Sequence, residues 1–116
     1  MKRAAVVAAA VLLSFSVPAA AAPFTPVDIV DDPRPQPRWG YAPATTEVQT
    51  GTWVVWSNAG TDTHTVTALD GSFDSHELNP SEGFSWYFDM PGTYSYLCAL
   101  HPWMTGTVVV QDADSA

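Results

Sequence analysis

Residues 94–104 read Tyr-Ser-Tyr-Leu-Cys-Ala-Leu-His-Pro-Trp-Met, and this stretch decides how the rest of the chain is interpreted. Its first half alternates in polarity, which predicts a β-strand that ends at Cys98. An imidazole at His101 and a thioether at Met104 then follow, each three residues further on. Pro102 excludes one continuous helix, because proline lacks the amide donor and its ring clashes with the preceding turn. A tight loop leaving the strand can bring the three side chains to one point.

The sequence on both sides of this stretch predicts an all-β domain. From Glu47 onward, short apolar or alternating runs are separated by turn residues, and no helical period is sustained. The predicted strands cover residues 53–56, 63–69, 84–88, 94–98 and 106–111. Short strands at this spacing, bounded by glycine, proline, asparagine and aspartate, are typical of a β-sandwich or barrel.

Residues 1–22 are predicted to be a signal peptide rather than part of this domain. The segment begins with two basic residues, continues with an apolar run over 4–17 and ends in a group of alanines. This is the order of a secretory signal. The apolar run is shorter than the roughly 20 residues that a membrane-spanning helix needs. We therefore expect an exported protein, periplasmic or extracellular, with no membrane span in its mature form. The remaining chain divides into an N-terminal strand and proline-rich arm (23–46), a metal-binding part (47–111) and a flexible tail (112–116).

The charge of the exported part limits its partners. Without the signal peptide, Arg34 and Arg38 stand against 12 acidic residues, a net charge of about −10. Nucleic acid and anionic membrane surfaces are therefore poor partners, because like charges repel, and we expect no nucleic-acid binding. A basic protein would be attracted, although the same charge can serve only to keep an exported domain soluble.

A second imidazole is predicted on the apolar face of a strand. Alternation points His64 and Val66 inward and Thr65 and Thr67 outward. His64 and Cys98 then each lie at the end of a strand on its core-facing side, where a metal site in a sandwich would draw its ligands. A hydrogen-bonded core histidine is the alternative interpretation of His64.

The cysteine count points to a metal. Small exported domains often depend on paired cysteines, yet Cys98 is the only one in the chain. A lone thiol is buried and inert, paired with another chain, or bound to a metal. The donors of His64, Cys98, His101 and Met104 are two imidazoles, a thiolate and a weak thioether, which is the ligand set of a type 1 copper site. Zinc prefers four strong ligands, and calcium and magnesium prefer oxygen. The sequence therefore predicts one copper ion per chain.

Residues 47–111 resemble the copper-binding half of the plastocyanin and amicyanin group of cupredoxins. The Cys-x-x-His-x-x-Met spacing is that of the amicyanin type, and the Pro-Gly-Thr-Tyr-Ser-Tyr-Leu-Cys lead-in and Met-Thr-Gly-Thr-Val exit are similar to the family's flanks. The resemblance implies a Greek-key β-sandwich with copper near one end. It also implies that His101 is the exposed ligand through which electrons leave. The candidates for an apolar ring around it are Leu100, Pro102 and Trp103.

One position departs from the family pattern. Many members have asparagine directly after the first histidine ligand, where its side chain ties that strand to the cysteine loop, whereas this chain has Thr65. A hydroxyl can take over part of this role or can fail to reach the loop. Thr65 therefore bears on the reduction potential and rigidity of the site, which surrounding hydrogen bonds tune.

These expectations describe a one-electron carrier and not an enzyme. Four ligands leave no open position for a substrate, and we find no paired acid and base in the sequence. We expect a monomer that exchanges electrons with a redox protein donor and acceptor, such as a dehydrogenase, a cytochrome or an oxidase. A copper carrier or storage protein that hands over Cu(I) is the alternative, which the low count of three methionines disfavours. A metal-free interaction domain is the remaining possibility, which the four intact ligand positions disfavour.

Two further expectations concern residues outside the predicted ligands. His76 lies in a polar stretch and is expected at the surface, with an exposed cluster of His, Glu and Asp around a second metal as the alternative. The tryptophans are expected mostly in the core. Trp103 is the exception, because its loop position places it on the rim that would face a partner.

Overall fold

The computed structural model describes residues 22–113, and over this range the chain forms eight β-strands and one short 3₁₀ helix, Gln36–Arg38. The strands are β1 (Phe24–Val30), β2 (Gly40–Ala42), β3 (Thr45–Gln49), β4 (Thr52–Asn58), β5 (Thr67–Ala68), β6 (Gly83–Phe88), β7 (Gly92–Leu97) and β8 (Thr105–Gln111). The predicted all-β class is confirmed. The predicted signal peptide lies outside the described residues except for Ala22. Within 22–113, no helix has the length and apolar character that crossing a membrane requires.

The strands form two four-stranded sheets that enclose one core. The first sheet has the order β2-β1-β4-β6 and the second has the order β3-β8-β7-β5. β1 pairs with β4, and β3 with β8, in parallel, whereas the other neighbouring strands are antiparallel. The segment before Glu47 therefore supplies β1, β2 and the first residues of β3, and it belongs to both sheets.

Aromatic side chains packed around Trp56 fill the core. The centroid of the Trp56 ring lies 5.4 Å from that of Tyr96 and 5.8 Å from that of Phe73. The indole Nε1–H of Trp56 donates a hydrogen bond to the Tyr96 hydroxyl oxygen at 3.1 Å. Because an indole N–H in a core needs a polar partner, this bond fixes the orientation of Trp56 and Tyr96 together.

The prediction that the tryptophans lie mostly in the core is wrong for two of them. Trp53 and Trp86 are 40% and 38% exposed, whereas Trp39 and Trp56 are buried. Trp53 lies three residues from Trp56 on β4, so the two side chains point to opposite faces of the sheet. Trp86 belongs to β6, which is the edge strand of its sheet and leaves one flank open.

One end of the sandwich gathers the segments that carry the predicted ligands. Cys98 directly follows β7, and Met104 directly precedes β8. His64 lies in the connection after β4, where its backbone exchanges two hydrogen bonds with Leu78, at 3.0 and 2.7 Å. Only the last part of the predicted strand 63–69 forms a regular strand, β5, so the backbone around His64 is irregular.

Candidate metal centre

Three nitrogen and sulfur atoms converge at this end of the sandwich. His64 Nδ1 lies 3.8 Å from Cys98 Sγ, and His101 Nδ1 lies 3.5 Å from the same sulfur. The two Nδ1 atoms are 3.2 Å apart. His64 and Cys98 are completely buried, and His101 is partly exposed. The structure therefore brings His64 next to Cys98 and His101, which lie more than 30 residues later in the sequence, and all three side chains are of types that can bind a metal.

The loop that carries Cys98, His101 and Met104 is closed by its own backbone. The N–H of His101 donates to the carbonyl of Cys98 at 3.2 Å, and the N–H of Met104 donates to the carbonyl of His101 at 2.8 Å. The N–H of Cys98 donates to the carbonyl of Met104 at 3.1 Å. Met104 is fully buried. These bonds fix the spacing of the loop residues that are predicted to be ligands, independently of any metal.

Thr65 is buried, and the prediction that it faces outward is wrong. Because the backbone before β5 is irregular, Thr65 turns towards the cysteine loop, and it is 4% exposed. Its hydroxyl oxygen accepts a hydrogen bond from the N–H of Ala99 at 2.7 Å. Its own N–H donates to Cys98 Sγ at 3.4 Å. The hydroxyl thus reaches the loop and ties the His64 segment to it.

We expect Thr65→Val to destabilise the metal-free protein by about 1–3 kcal/mol, because the variant keeps the shape of threonine and leaves the N–H of Ala99 without its partner. The measurement is the free energy of unfolding in urea. Thr93→Val is the matched control, since Thr93 is exposed on β7. Equal losses for the two variants would show that the Thr65 hydroxyl has no special role.

A carboxylate that was not predicted from the sequence lies behind His64. The Oδ2 atom of Asp31 is 2.7 Å from His64 Nε2, and both side chains are fully buried. The same carboxylate accepts hydrogen bonds from the N–H groups of Thr61 and Asp62 at 2.9–3.0 Å. Burial raises the pKa of the Asp31 carboxyl, but the bonds from His64, Asp62 and Thr61 outweigh this effect and hold the pKa at about 2. The group is therefore a carboxylate at neutral pH.

Two aromatic residues of the proline-rich arm also enclose the site. The ring of Trp39 meets the His64 and His101 rings edge to face, with centroid distances of 6.0 and 5.3 Å. The hydroxyl of Tyr41 donates to the carbonyl of Thr65 at 2.6 Å. Burial, and then the proximity of Cys98 and Tyr96, raises the pKa of Tyr41, which keeps this hydroxyl a donor. The predicted proline-rich arm therefore forms one wall of the site.

The three residues predicted to form an apolar rim around His101 are exposed to solvent. Leu100 is 44% exposed and Trp103 is 47% exposed, and Pro102 between them also faces solvent. The Trp103 ring lies 5.3 Å from the His101 ring, and its Nε1–H donates to the carbonyl of Gln36 at 2.6 Å. This bond docks the 3₁₀ helix of the arm against the loop.

His76 lies at the surface, as predicted. Its side chain is 85% exposed, and its Nδ1 is 4.0 Å from the carboxylate of Asp74. Within residues 22–113, the one group of three or more His, Cys, Asp or Glu side chains close enough to hold a metal is the cluster of His64, Cys98 and His101.

The donor chemistry of this cluster fits copper. Two imidazole nitrogens and a thiol sulfur lie within 4.8 Å of one another, and a buried methionine closes the same loop. Thiolate and imidazole ligands suit copper, whereas a set with a single strong sulfur, two nitrogens and a thioether is unusual for zinc. The arrangement of His64, Cys98 and His101 is compatible with a type 1 copper ion.

An all-β sandwich with a His-Cys-His cluster at one end defines the cupredoxins as a class. The cupredoxin-like domain family matches residues 3–110, and the chain belongs to this family. Among curated proteins, amicyanin-alpha of Methylorubrum extorquens is 33% identical over 69 residues. That match covers 55% of this chain and 58% of the relative, so the chain spans less than two thirds of the relative's length. The resemblance predicted from the copper loop is confirmed.

Solved structures support the same classification of the fold. A purple cupredoxin from Nitrosopumilus maritimus superposes with a TM-score of 0.66 at 29% identity, over 74% of this chain and 98% of that protein. A reduced amicyanin variant gives a TM-score of 0.67 at 26% identity, over 80% and 87% of the two chains. The Cu(I) form of another amicyanin variant gives 0.66 at 26% identity, over 81% and 87%. The predicted cupredoxin-like sandwich is therefore confirmed.

Proposed function

We propose that this protein is an exported one-electron carrier that holds one type 1 copper ion through His64, Cys98, His101 and Met104. The observation that carries this proposal is the convergence of two imidazole nitrogens and one cysteine sulfur at the end of a cupredoxin sandwich. Membership of a family that includes amicyanins supports it. The signal-like sequence of residues 1–22 supports export.

The residues around the site favour transfer of an electron over chemistry on a substrate. When bound, copper supplies one-electron chemistry, because it is stable as both Cu(I) and Cu(II). His64 and Cys98 are closed off from water. The N–H of Thr65 contacts Cys98 Sγ and the carboxylate of Asp31 contacts the His64 ring, so both donor groups are held in place independently of a metal. Donors that do not have to move keep the reorganisation on electron transfer small. A filled ligand shell leaves no position for a substrate, which supports a carrier and not an enzyme.

His101 is the proposed exit for the electron. It is partly exposed, and Leu100, Pro102 and Trp103 form an apolar rim beside it. Next to Trp103, a surface depression of about 380 Å³ is lined by Gln36 and Pro37. An apolar rim of this kind fits transient docking of redox proteins, with a dehydrogenase, cytochrome or oxidase as donor and acceptor. The acidic surface of the chain favours a basic partner, which it would attract over a distance.

The alternative of a Cu(I) carrier is less well supported. Handing over a metal ion requires ligands that an acceptor can reach and displace. His64, Cys98 and Met104 are fully buried, and only His101 is partly exposed. We therefore propose that the ion stays in place while the electron moves.

We expect the copper-loaded protein to show an intense visible absorption band that ascorbate bleaches and air restores. We also expect electron exchange with a small redox reagent to be much faster than loss of copper to a Cu(I) chelator. Absorption spectroscopy and stopped-flow mixing measure these two quantities. Tight copper binding with a weak band and rapid transfer to the chelator would instead identify a copper carrier. Failure to bind copper would return His64 and Cys98 to the role of ordinary core residues.

A further inference from the structure

The two histidines of the site have different surroundings on the side away from Cys98. His101 lies between the rings of Trp39 and Trp103, towards the surface. His64 instead contacts the buried carboxylate of Asp31 through its Nε2 atom. A buried carboxylate is costly unless charged or polar partners compensate it, so its position against one imidazole calls for an explanation.

The hydrogen-bond partners define the direction of the contact. The N–H groups of Thr61 and Asp62 can only donate, so both oxygens of Asp31 act as acceptors. His64 turns its Nδ1 towards Cys98 and His101, which leaves Nε2 as the nitrogen that carries hydrogen when Nδ1 binds a metal. The Nε2–H of His64 therefore donates to Asp31.

The chain is built to keep this carboxylate in place. Asp31 directly follows β1, and the turn 60–62 that donates to it follows β4, its parallel neighbour. A methyl group added at Gly60 would fall on the carboxyl atoms of Asp31. The close approach of the turn to Asp31 therefore requires glycine, because any side chain at position 60 would displace the carboxylate.

We propose that Asp31 is a positioning residue that fixes the His64 ring and lowers the reduction potential of the copper site. This inference rests on the function proposed above. A carboxylate that accepts the imidazole N–H raises the basicity of the ligating nitrogen. A more basic nitrogen, together with a nearby buried negative charge, stabilises Cu(II) more than Cu(I). The equilibrium between the two oxidation states therefore shifts towards Cu(II), and the reduction potential of the site is lower.

Asp31→Asn is the direct test. The amide replaces one carboxylate oxygen with an NH₂ group and removes the negative charge. In one orientation that NH₂ group faces the N–H of Thr61, and in the other it faces the N–H of Asp62 and the Nε2–H of His64, so a donor meets a donor in either case. We expect the Cu(II) affinity to fall 10–100-fold and the Cu(I) affinity to fall less. The reduction potential should then rise by about 59 mV for every tenfold by which the loss of Cu(II) affinity exceeds the loss of Cu(I) affinity. Voltammetry measures the potential, and competition with Cu(II) and Cu(I) chelators measures the affinities.

Two further variants separate this role from a purely structural one. Asp28→Asn removes the same charge from an exposed position on β1, the strand that Asp31 follows, and it should leave the potential close to that of the parent protein. Gly60→Ala keeps the charge of Asp31 but displaces the carboxylate from His64, so it should raise the potential in the same direction as Asp31→Asn. It also provides the test if Asp31→Asn does not fold.

The NMR spectrum of the Cu(I) protein adds a direct readout. The Nε2–H of His64 should give a strongly downfield signal that exchanges slowly with solvent, and Asp31→Asn should remove or shift it. The inference is overturned if Asp31→Asn and Gly60→Ala lower stability while their potentials match that of Asp28→Asn, since Asp31 then only supports the turn. If the parent protein itself holds no redox-active copper, the proposed function fails and this inference fails with it.

Discussion

The Cys98→Ser variant is expected to lose essentially all of the intense visible absorption of the copper-loaded protein. That band requires a thiolate bound to Cu(II), and a serine hydroxyl stays protonated at neutral pH and binds copper poorly. Cys98 is the only cysteine of the chain, so no other thiol can replace it. The measurement is the visible spectrum of both proteins after the same exposure to Cu(II), with copper content determined in parallel.

Met104→Leu is the matched comparison for this result. The substitution conserves volume in a fully buried position and removes only the weak thioether. The variant should keep a strong band, because the thiolate and both imidazoles remain. Retention of the band in Cys98→Ser would disprove the assignment of Cys98 as a copper ligand. Its loss in both variants would mean that the fold around the loop, and not the thiolate, controls the colour.

The Trp56→Ala variant is expected to lose about 3–5 kcal/mol of folding free energy, the range for truncating a buried tryptophan. Trp56 is completely buried, and the rings of Phe73, Phe84, Phe88 and Tyr96 surround it at centroid distances of 5.4–6.5 Å. The loss is a large share of the roughly 5–15 kcal/mol that stabilises a typical domain. Urea unfolding of the metal-free proteins measures it, and a largely unfolded variant also agrees with the prediction.

Trp53→Ala provides the control on the same strand. Trp53 points to the outer face of its sheet, where it packs on Tyr87 with a centroid distance of 5.2 Å. Losing one exposed aromatic pair should cost about 1 kcal/mol. Similar losses for the two variants would contradict the description of Trp56 as the centre of the core.

The class of fold and the ligand loop follow from local features of the sequence. Alternation identifies strands without knowledge of their partners, and the spacing of Cys98, His101 and Met104 lies within a single loop. The inward position of His64 was predictable because residues 63–69 alternate in polarity and place His64 on the apolar side. The structure brings His64 within 3.8 Å of Cys98, a contact that alternation alone does not specify.

Asp31 and Trp39 were not predicted, because their roles depend on pairing between distant strands. Asp31 reaches His64 only because β1 lies parallel to β4, and nothing in the proline-rich segment itself indicates that register. In sequence terms Asp31 is one of 12 scattered acidic residues. Its position directly after an apolar strand was the one available signal, and it did not distinguish a buried carboxylate from an exposed one.

The prediction for Thr65 was wrong for a different reason: the alternation rule was applied to a segment that is not a regular strand. Strict alternation assigned it to the outer face, but only Thr67–Ala68 forms a regular strand there. The hydroxyl turns inward because the N–H of Ala99 needs a partner at that place. Departures from alternation are common at functional sites, where hydrogen-bonding requirements outweigh the regular pattern.

The closed copper loop also has a consequence for how such proteins diverge. Its backbone bonds join Cys98, His101 and Met104 to one another, so the side chains between them have no part in closing the ring. The exposed Leu100 can therefore be exchanged without opening the loop, whereas Trp103 is constrained by its packing on His101 and its hydrogen bond to Gln36. Over evolutionary time, the surface offered to a partner can change at position 100 while Cys98, His101 and Met104 keep their spacing.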